Sequence, residues 1–135
     1  MQWYTSNMTA KDLLQYWLTS ANRDFDVAQD LYRLKRYNYC LFFCHLAIEK
    51  LLKGLIFKTT HNHPLPIHDI KKLSKQARLA IPNIIDEDLE EITSWNIEAR
   101  YDSYKQKFFA KATKEFAEKW FKKAKEIYVW LKNQY

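Results

Sequence analysis

Two groups of side chains in this 135-residue chain have the types and spacing that do chemistry. Glu49, Lys50 and Lys53 interrupt the apolar run Phe42 to Phe57, FFCHLAIEKLLKGLIF. Glu49 and Lys53 stand at i, i+4 in the favourable order. On a helix surface that makes an ion pair of roughly a few tenths of a kcal/mol; on so apolar a helix it can also be a polar patch facing a groove or a symmetry mate. The second group, Arg100, Tyr101, Asp102 and Tyr104, places a cation, a carboxylate and two aromatic faces within five residues. Arginine can hold a phosphate through two parallel hydrogen bonds while a tyrosine stacks on a base. The plainer alternative is a helix-end ion pair between Arg100 and a nearby acid.

The histidines and cysteines offer less. His61-x-His63 followed by His68-Asp69 has no cysteine or carboxylate at a metal-ligand spacing, so it reads as a polar loop ending in a capping residue, with no metal site. Cys44 and His45 are neighbours at i, i+1, which point to different faces of a helix. They cannot form a nucleophile–base pair, and His45 is expected to be a satisfied core histidine. Cys40 and Cys44, four apart, fit neither a disulfide framework nor a zinc site and read as reduced core thiols.

The elements that must position these groups are helices. Thr9-x-x-Asp12 resembles a capping box, and Leu14, Trp17, Ala21, Phe25, Ala28, Leu31 and Tyr32 give the first helix one apolar stripe ending near Arg36. Trp3 and Tyr4, in a short preceding tail, are expected to dock on the body. Tyr37-Asn38 makes a tight link, with Asn38 as the cap of a central helix ending near Lys58, so the first two helices form an antiparallel hairpin. Phe42, Phe43, Leu46, Ala47, Ile48, Leu51, Leu52, Leu55 and Ile56 wrap most of the way round that central helix, which places it in the middle of a bundle. Gly54, the single glycine, lies inside it and implies close approach by another backbone.

Thr59 to Ile67, TTHNHPLPI, is a loop, because Pro64 and Pro66 forbid a helix. His68-Asp69 then caps a short third helix carrying Ile70, Leu73 and Ala77, and Pro82 closes the next connection. Asp86, Glu87, Asp88, Glu90 and Glu91 crowd the start of a fourth helix, where the macrodipole favours acids. Its inner face is Leu89, Ile92, Trp95 or Asn96, and Ala99. Ile97 to Lys107 ends or bends that helix. A fifth runs from about Phe109 to Asn133, with Ala112, Phe116, Trp120, Ala124, Ile127 and Leu131 inward and Lys111, Lys114, Lys122 and Lys125 opposite.

Composition agrees. One glycine and three prolines leave almost no turn chemistry for hairpins, so the fold class is all-α, a single domain over residues 1–135. No uncharged apolar run is long enough for a membrane span, and no basic-then-apolar leader opens the chain; a cytoplasmic protein is expected. The net charge of +6 is uneven. Residues 1–104 carry 13 basic and 13 acidic side chains, whereas residues 105–135 carry nine lysines against Glu115, Glu118 and Glu126. A positive face of that kind attracts polyanions, although solvated lysine faces are commoner than binding sites.

Taken in order, the motifs resemble the HEPN family (higher eukaryotes and prokaryotes nucleotide-binding). They are Ala21, Asp24 and Ala28 in the first helix; A-x-E-K-x-x-K as Ala47, Glu49, Lys50 and Lys53; the histidine before a short helix, His68-Asp69-Ile70; and Arg100-Tyr101-Asp102 late in the fourth helix. The resemblance implies an up-and-down bundle of four to five helices, a homodimer, and a minimal nucleotidyltransferase as partner in a two-component, toxin–antitoxin-like system. It makes Glu49, Lys53, Arg100, Tyr101, Asp102 and Tyr104 the candidate nucleotide- or RNA-binding residues, with no cofactor.

One departure bears on activity. The ribonuclease branch of that family carries arginine, four to six residues, then histidine. Counting from Arg100, those positions hold Lys105, Gln106 and Lys107. Lysine is a poor acid–base near neutral pH. The chain resembles the R-Y-D type without the ribonuclease motif, so no catalytic residue is assigned and a binding role ranks before an enzymatic one. Two alternatives stand beside it: a metal-independent endoribonuclease using Arg100 with Tyr104 or His45, and a basic helical module binding nucleic acid non-specifically through Lys111, Lys114, Lys122 and Lys125.

Overall fold

The computed structural model describes residues 8–135, apart from the side chains of Ile84 and Ala99; Trp3 and Tyr4, and the inward face expected of Ala99, lie outside the described residues. Among the described residues six helices follow one another: α1 Ala10–Arg33, α2 Tyr37–Thr60, α3 Ile70–Gln76, α4 Asn83–Arg100, α5 Asp102–Lys111 and α6 Lys114–Lys132. The fold is all-α as expected, with one helix more than the upper expectation. The extra element comes from a break at Ala112-Thr113. Thr113 caps α6 by accepting from the Phe116 N–H, so Phe109 to Lys111 belong to α5 and not to the final helix. A threonine followed by Glu115 in the first turn is a start signal that sequence reasoning passed over.

α2 is the axis of the bundle and touches each of the other five helices. Its composition explains this: Cys40, Leu41, Cys44, Ala47, Ile48, Leu51, Leu52, Leu55 and Ile56 are all buried, and they point in nearly every direction. α1 lies antiparallel to it. The capping box at Thr9 and Asp12 is formed, and Trp17, Ala21, Phe25 and Ala28 are buried. Leu13 is buried in place of Leu14, which is only half-buried. α1 and α6 meet through stacked rings, Tyr32 on Phe121 at 4.6 Å and Phe25 on Tyr128 at 4.3 Å between centroids.

The turn between α1 and α2 lies a few residues earlier than the sequence implied, because α1 already ends at Arg33. α2 begins at Tyr37 with Arg36 as its cap, and Asn38 is already inside the helix. Lys35 takes a left-handed φ of 61°, and the Arg36 N–H donates to the Leu31 carbonyl at 2.9 Å. That is the hydrogen bond of a Schellman motif, built here without the usual glycine. At the other end α2 continues through Thr60, two residues beyond Lys58, and His61 closes it with a φ of 59°. Asp69 caps α3 as expected, accepting from Lys72, and Ile70, Leu73 and Ala77 are buried. Leu89, Ile92, Trp95 and Asn96 all face inward from α4.

Gly54 lies at a close approach, as its position implied. What fills the space of its missing side chain is the Tyr135 ring, with its hydroxyl, and the Cβ of Trp17 at 2.9 Å from where a Gly54 Cβ would lie. The Trp17 Cβ belongs to α1, which packs closely here, and the Tyr135 ring folds in from the end of the chain. The Tyr135 hydroxyl donates to the Leu51 carbonyl at 2.9 Å, and its pKa is raised by burial.

Candidate functional site

Tyr39, Phe42, His45, Glu49 and Lys53 succeed one another at steps of three and four, which lines them along one side of α2. The middle of this line is where the polar residues gather. Glu49 is buried, at 5% exposure, and therefore is not half of a surface ion pair. Its carboxylate accepts from Lys53 at 3.1 Å and from the Nδ1 of His68 at 3.0 Å. Two donors satisfy a charge that would cost several kcal/mol, roughly, to bury alone. Lys50, on the next side of the helix, pairs with Asp24 of α1 at 2.7 Å.

His68 reaches Glu49 because the α2–α3 loop is tied at several points. Gln76 accepts from the Leu65 N–H at 3.0 Å and donates to the His63 carbonyl at 3.3 Å. Thr93 of α4 accepts from the Ile70 N–H at 3.1 Å. His45, fully buried, completes the arrangement: its Nε2 is 3.1 Å from the His68 carbonyl. A carbonyl only accepts, so Nε2 carries the proton and Nδ1 is bare in the neutral ring. Nδ1 has no hydrogen-bond partner and lies 3.8 Å from Glu49. His45 is thus only half satisfied, short of what the sequence implied. Burial pushes its pKa down to about 4 against the opposing pull of Glu49; His68 and Arg100 add smaller contributions.

Arg100 ends α4 with an exposed side chain whose guanidinium lies 5.2 Å from the centre of the Phe42 ring. Among the described residues no carboxylate pairs with it, so the plainer alternative, a helix-end ion pair, is not seen. Tyr101 breaks the helix with a ψ of 131°, and Asp102 opens α5. Tyr101 and Tyr104 are exposed, and among the described residues Asp102 pairs only with Lys105, at 3.6 Å. The structure therefore brings Glu49 and Lys53 into contact, sets Arg100 on the same side of α2 through Phe42, and leaves Tyr101, Asp102 and Tyr104 at the adjoining helix break. Sequence reasoning missed Phe42; it offered His45 only in the endoribonuclease alternative and His68 only as a motif residue, and nothing local marks His68 as a partner of Glu49.

The remaining candidates sit elsewhere. Lys111 is on α5 and is held by Glu91 at 2.9 Å and Glu98 at 3.6 Å, while Lys114, Lys122 and Lys125 are exposed on α6. His61 and His63 flank the Phe57 ring at 6.4 Å. Among the described residues no group of three or more His, Cys, Asp or Glu side chains is placed to hold a metal ion. No helix of the described residues is long and apolar enough to cross a membrane. Cys40 and Cys44 are free and buried, and burial raises the Cys44 thiol pKa.

An all-helical bundle built on one apolar helix, with a buried carboxylate and an unpaired arginine on the same side of it, defines the class. Residues 14–134 match the HEPN domain family, and the chain belongs to it. Two solved structures share the fold. TT1696 from Thermus thermophilus superposes with a TM-score of 0.75 at 22% identity, over 90% of this chain and 98% of that one. ST0689, an archaeal HEPN homologue, gives 0.67 at 20% identity, over 90% and 96% of the respective chains. Among curated proteins none matches significantly.

Proposed function

We propose that this HEPN protein is a nucleotide- or RNA-binding subunit of the R-Y-D type, a homodimer that positions substrate for a separate minimal nucleotidyltransferase. The observation that carries the reading is Arg100, whose guanidinium has no carboxylate partner among the described residues and lies over the Phe42 ring. Such a group keeps its hydrogen-bonding edge for a phosphate. Tyr101 and Tyr104, exposed beside it, offer faces for a base. Glu49 lies behind, fixing Lys53 and the half-exposed His68, whose ring is 49% accessible. Replacing Arg100 with alanine should weaken binding of a labelled nucleotide or RNA about tenfold or more, the usual cost of a charge-assisted contact. The melting temperature should not move. A lower melting temperature with unchanged binding would make Arg100 a structural residue.

The partner is tested separately, by recovering the tagged protein from its own host and identifying what comes with it. A stoichiometric nucleotidyltransferase supports the two-component system; RNA alone, or nothing, removes the partner.

A second reading, a metal-independent endoribonuclease, is favoured by the pair of His68 and Glu49. A half-exposed imidazole oriented through Nδ1 by a buried carboxylate is the arrangement of a general base. It supplies from the α2–α3 loop the histidine absent from positions 105–107. RNA cleavage that survives both Arg100→Ala and His68→Ala would overturn it.

A further inference from the structure

We infer that the groove between α1 and α6 binds a short peptide with both ends free, its ammonium on Asp26 and its carboxylate on Lys132. The groove shares no residue with the Arg100 site, and the inference does not depend on that reading. Its volume of about 410 Å³ is that of a small-ligand site. Three observations carry the inference. First, the floor is preformed. The Phe25 ring stacks on Tyr128 at 4.3 Å between centroids, and the Tyr128 hydroxyl donates to the Asn22 side-chain oxygen. Burial, with Asp26 and Asp24, pushes the Tyr128 pKa up to about 12, so that hydroxyl keeps its proton.

Second, the walls carry opposite charges that are not paired with each other. Asp26 on α1 and Lys125 and Lys132 on α6 line the groove and are exposed, and among the described residues none of the three is in an ion pair. Third, the spacing is that of a peptide. Phe25 packs on both Phe121 and Tyr128, which sets the next residue, Asp26, level with the turn between them, that of Lys125. Lys132 lies two turns further on, about 10 Å along the helix axis. Three extended residues span about the same length. Between the two ends Val129, 47% exposed, offers an apolar rest. The Asn22 oxygen is taken by Tyr128, which leaves its NH2 to donate to a peptide carbonyl. The carbonyl next to the ammonium faces Lys125.

Charge selects the occupant. A polyanion along the groove would meet Asp26, and a polycation would meet the two lysines, so one wall opposes either. A molecule with one ammonium and one carboxylate satisfies both walls. An internal stretch of a longer chain brings neither charge, which leaves a free peptide.

The test is a titration of the isotope-labelled full chain with trialanine, followed by proton–nitrogen correlation spectra. Saturable shifts are expected, confined to the amides around Asn22 to Gln29 and Lys125 to Lys132, with a Kd on the order of 1 mM. Asp26→Asn and Lys132→Gln should each weaken binding about fivefold, the upper end for one exposed ion pair. Both side chains are exposed, so thermal melting should be unchanged. Acetylating the peptide amine should cost the parent protein that same factor and cost Asp26→Asn nothing further. Amidating the carboxylate should stand in the same relation to Lys132→Gln. Arg100→Ala should bind trialanine as the parent does, which separates this groove from the Arg100 site. No saturable shift, shifts centred elsewhere, or equal affinity for a peptide blocked at both ends would overturn the inference. So would shifts at these amides that follow protein concentration without peptide, which would assign the groove to a second copy.

Discussion

His45 is the residue whose chemistry is most changed by folding. Its ring is buried among apolar neighbours, its Nε2 is occupied by the His68 carbonyl, and its Nδ1 faces Glu49 from 3.8 Å without a hydrogen bond. Desolvation outweighs that carboxylate and holds the pKa near 4, against 6.5 in an ordinary histidine. The unfolded chain therefore takes up a proton below pH 6.5 that the folded protein refuses until about 4. Stability from this group is complete above pH 6.5 and is lost as the pH falls toward 4, by roughly 3 kcal/mol in all. Most carboxylates titrate below about pH 5, so the upper half of the window belongs to histidine. Urea midpoints measured between about pH 7 and pH 5 should fall steadily in the parent protein. They should fall less in His45→Gln, whose amide still donates to the His68 carbonyl but does not titrate. Parallel pH profiles in the two proteins would show that His45 is not the group responsible. This behaviour was not legible in the sequence: that His45 would be in the core was, but its half-paired state depends on His68, 23 residues further on.

At the scale of the element, α2 explains both what could be read in advance and what could not. Features set by residues three or four apart came through: the Thr9–Asp12 box, the Asp69 cap, the apolar girth of α2 and the stripe of α1. Features set by contacts between segments did not. The α1–α2 turn rests on Lys35 in a left-handed conformation, which lysine does not advertise, and the burial of Glu49 rests on a loop folding back. At Gly54 the close approach was legible and the neighbours, Trp17 and Tyr135, were not. In an isolated helix, Gly54→Ala would gain about 1 kcal/mol of helix propensity. Here the new methyl would meet the Trp17 Cβ at 2.9 Å and the Tyr135 hydroxyl closer still. Tyr135 can swing away only by giving up its hydrogen bond to Leu51. Trp17 is held by α1 and cannot. Overpacking of this kind costs about 1–3 kcal/mol, so the substitution should lower the urea midpoint despite the better helix former. A higher midpoint in Gly54→Ala would show that the ring and the indole yield without cost.

For the whole molecule the question is what its charge does. The excess lies in residues 105–135, on α5 and α6, but the structure divides those lysines by what they face. Lys111 is held by Glu91 and Glu98, and Lys123 by Asp88 at 3.1 Å, so the acids of α4 neutralise the side of the final segment that packs against them. Lys123 also lies 5.1 Å from the centre of the Trp120 ring. Lys114, Lys122 and Lys125 are exposed and have no acid partner among the described residues. The two sets should therefore respond differently to neutralisation. Lys111→Gln strands two half-buried carboxylates and should cost up to about 1 kcal/mol of stability. Changing Lys114, Lys122 and Lys125 together to glutamine should leave stability within about 0.5 kcal/mol, as for most surface sites. It should instead flatten the salt dependence of weak binding to duplex DNA, by about 0.9 in slope for each phosphate no longer neutralised.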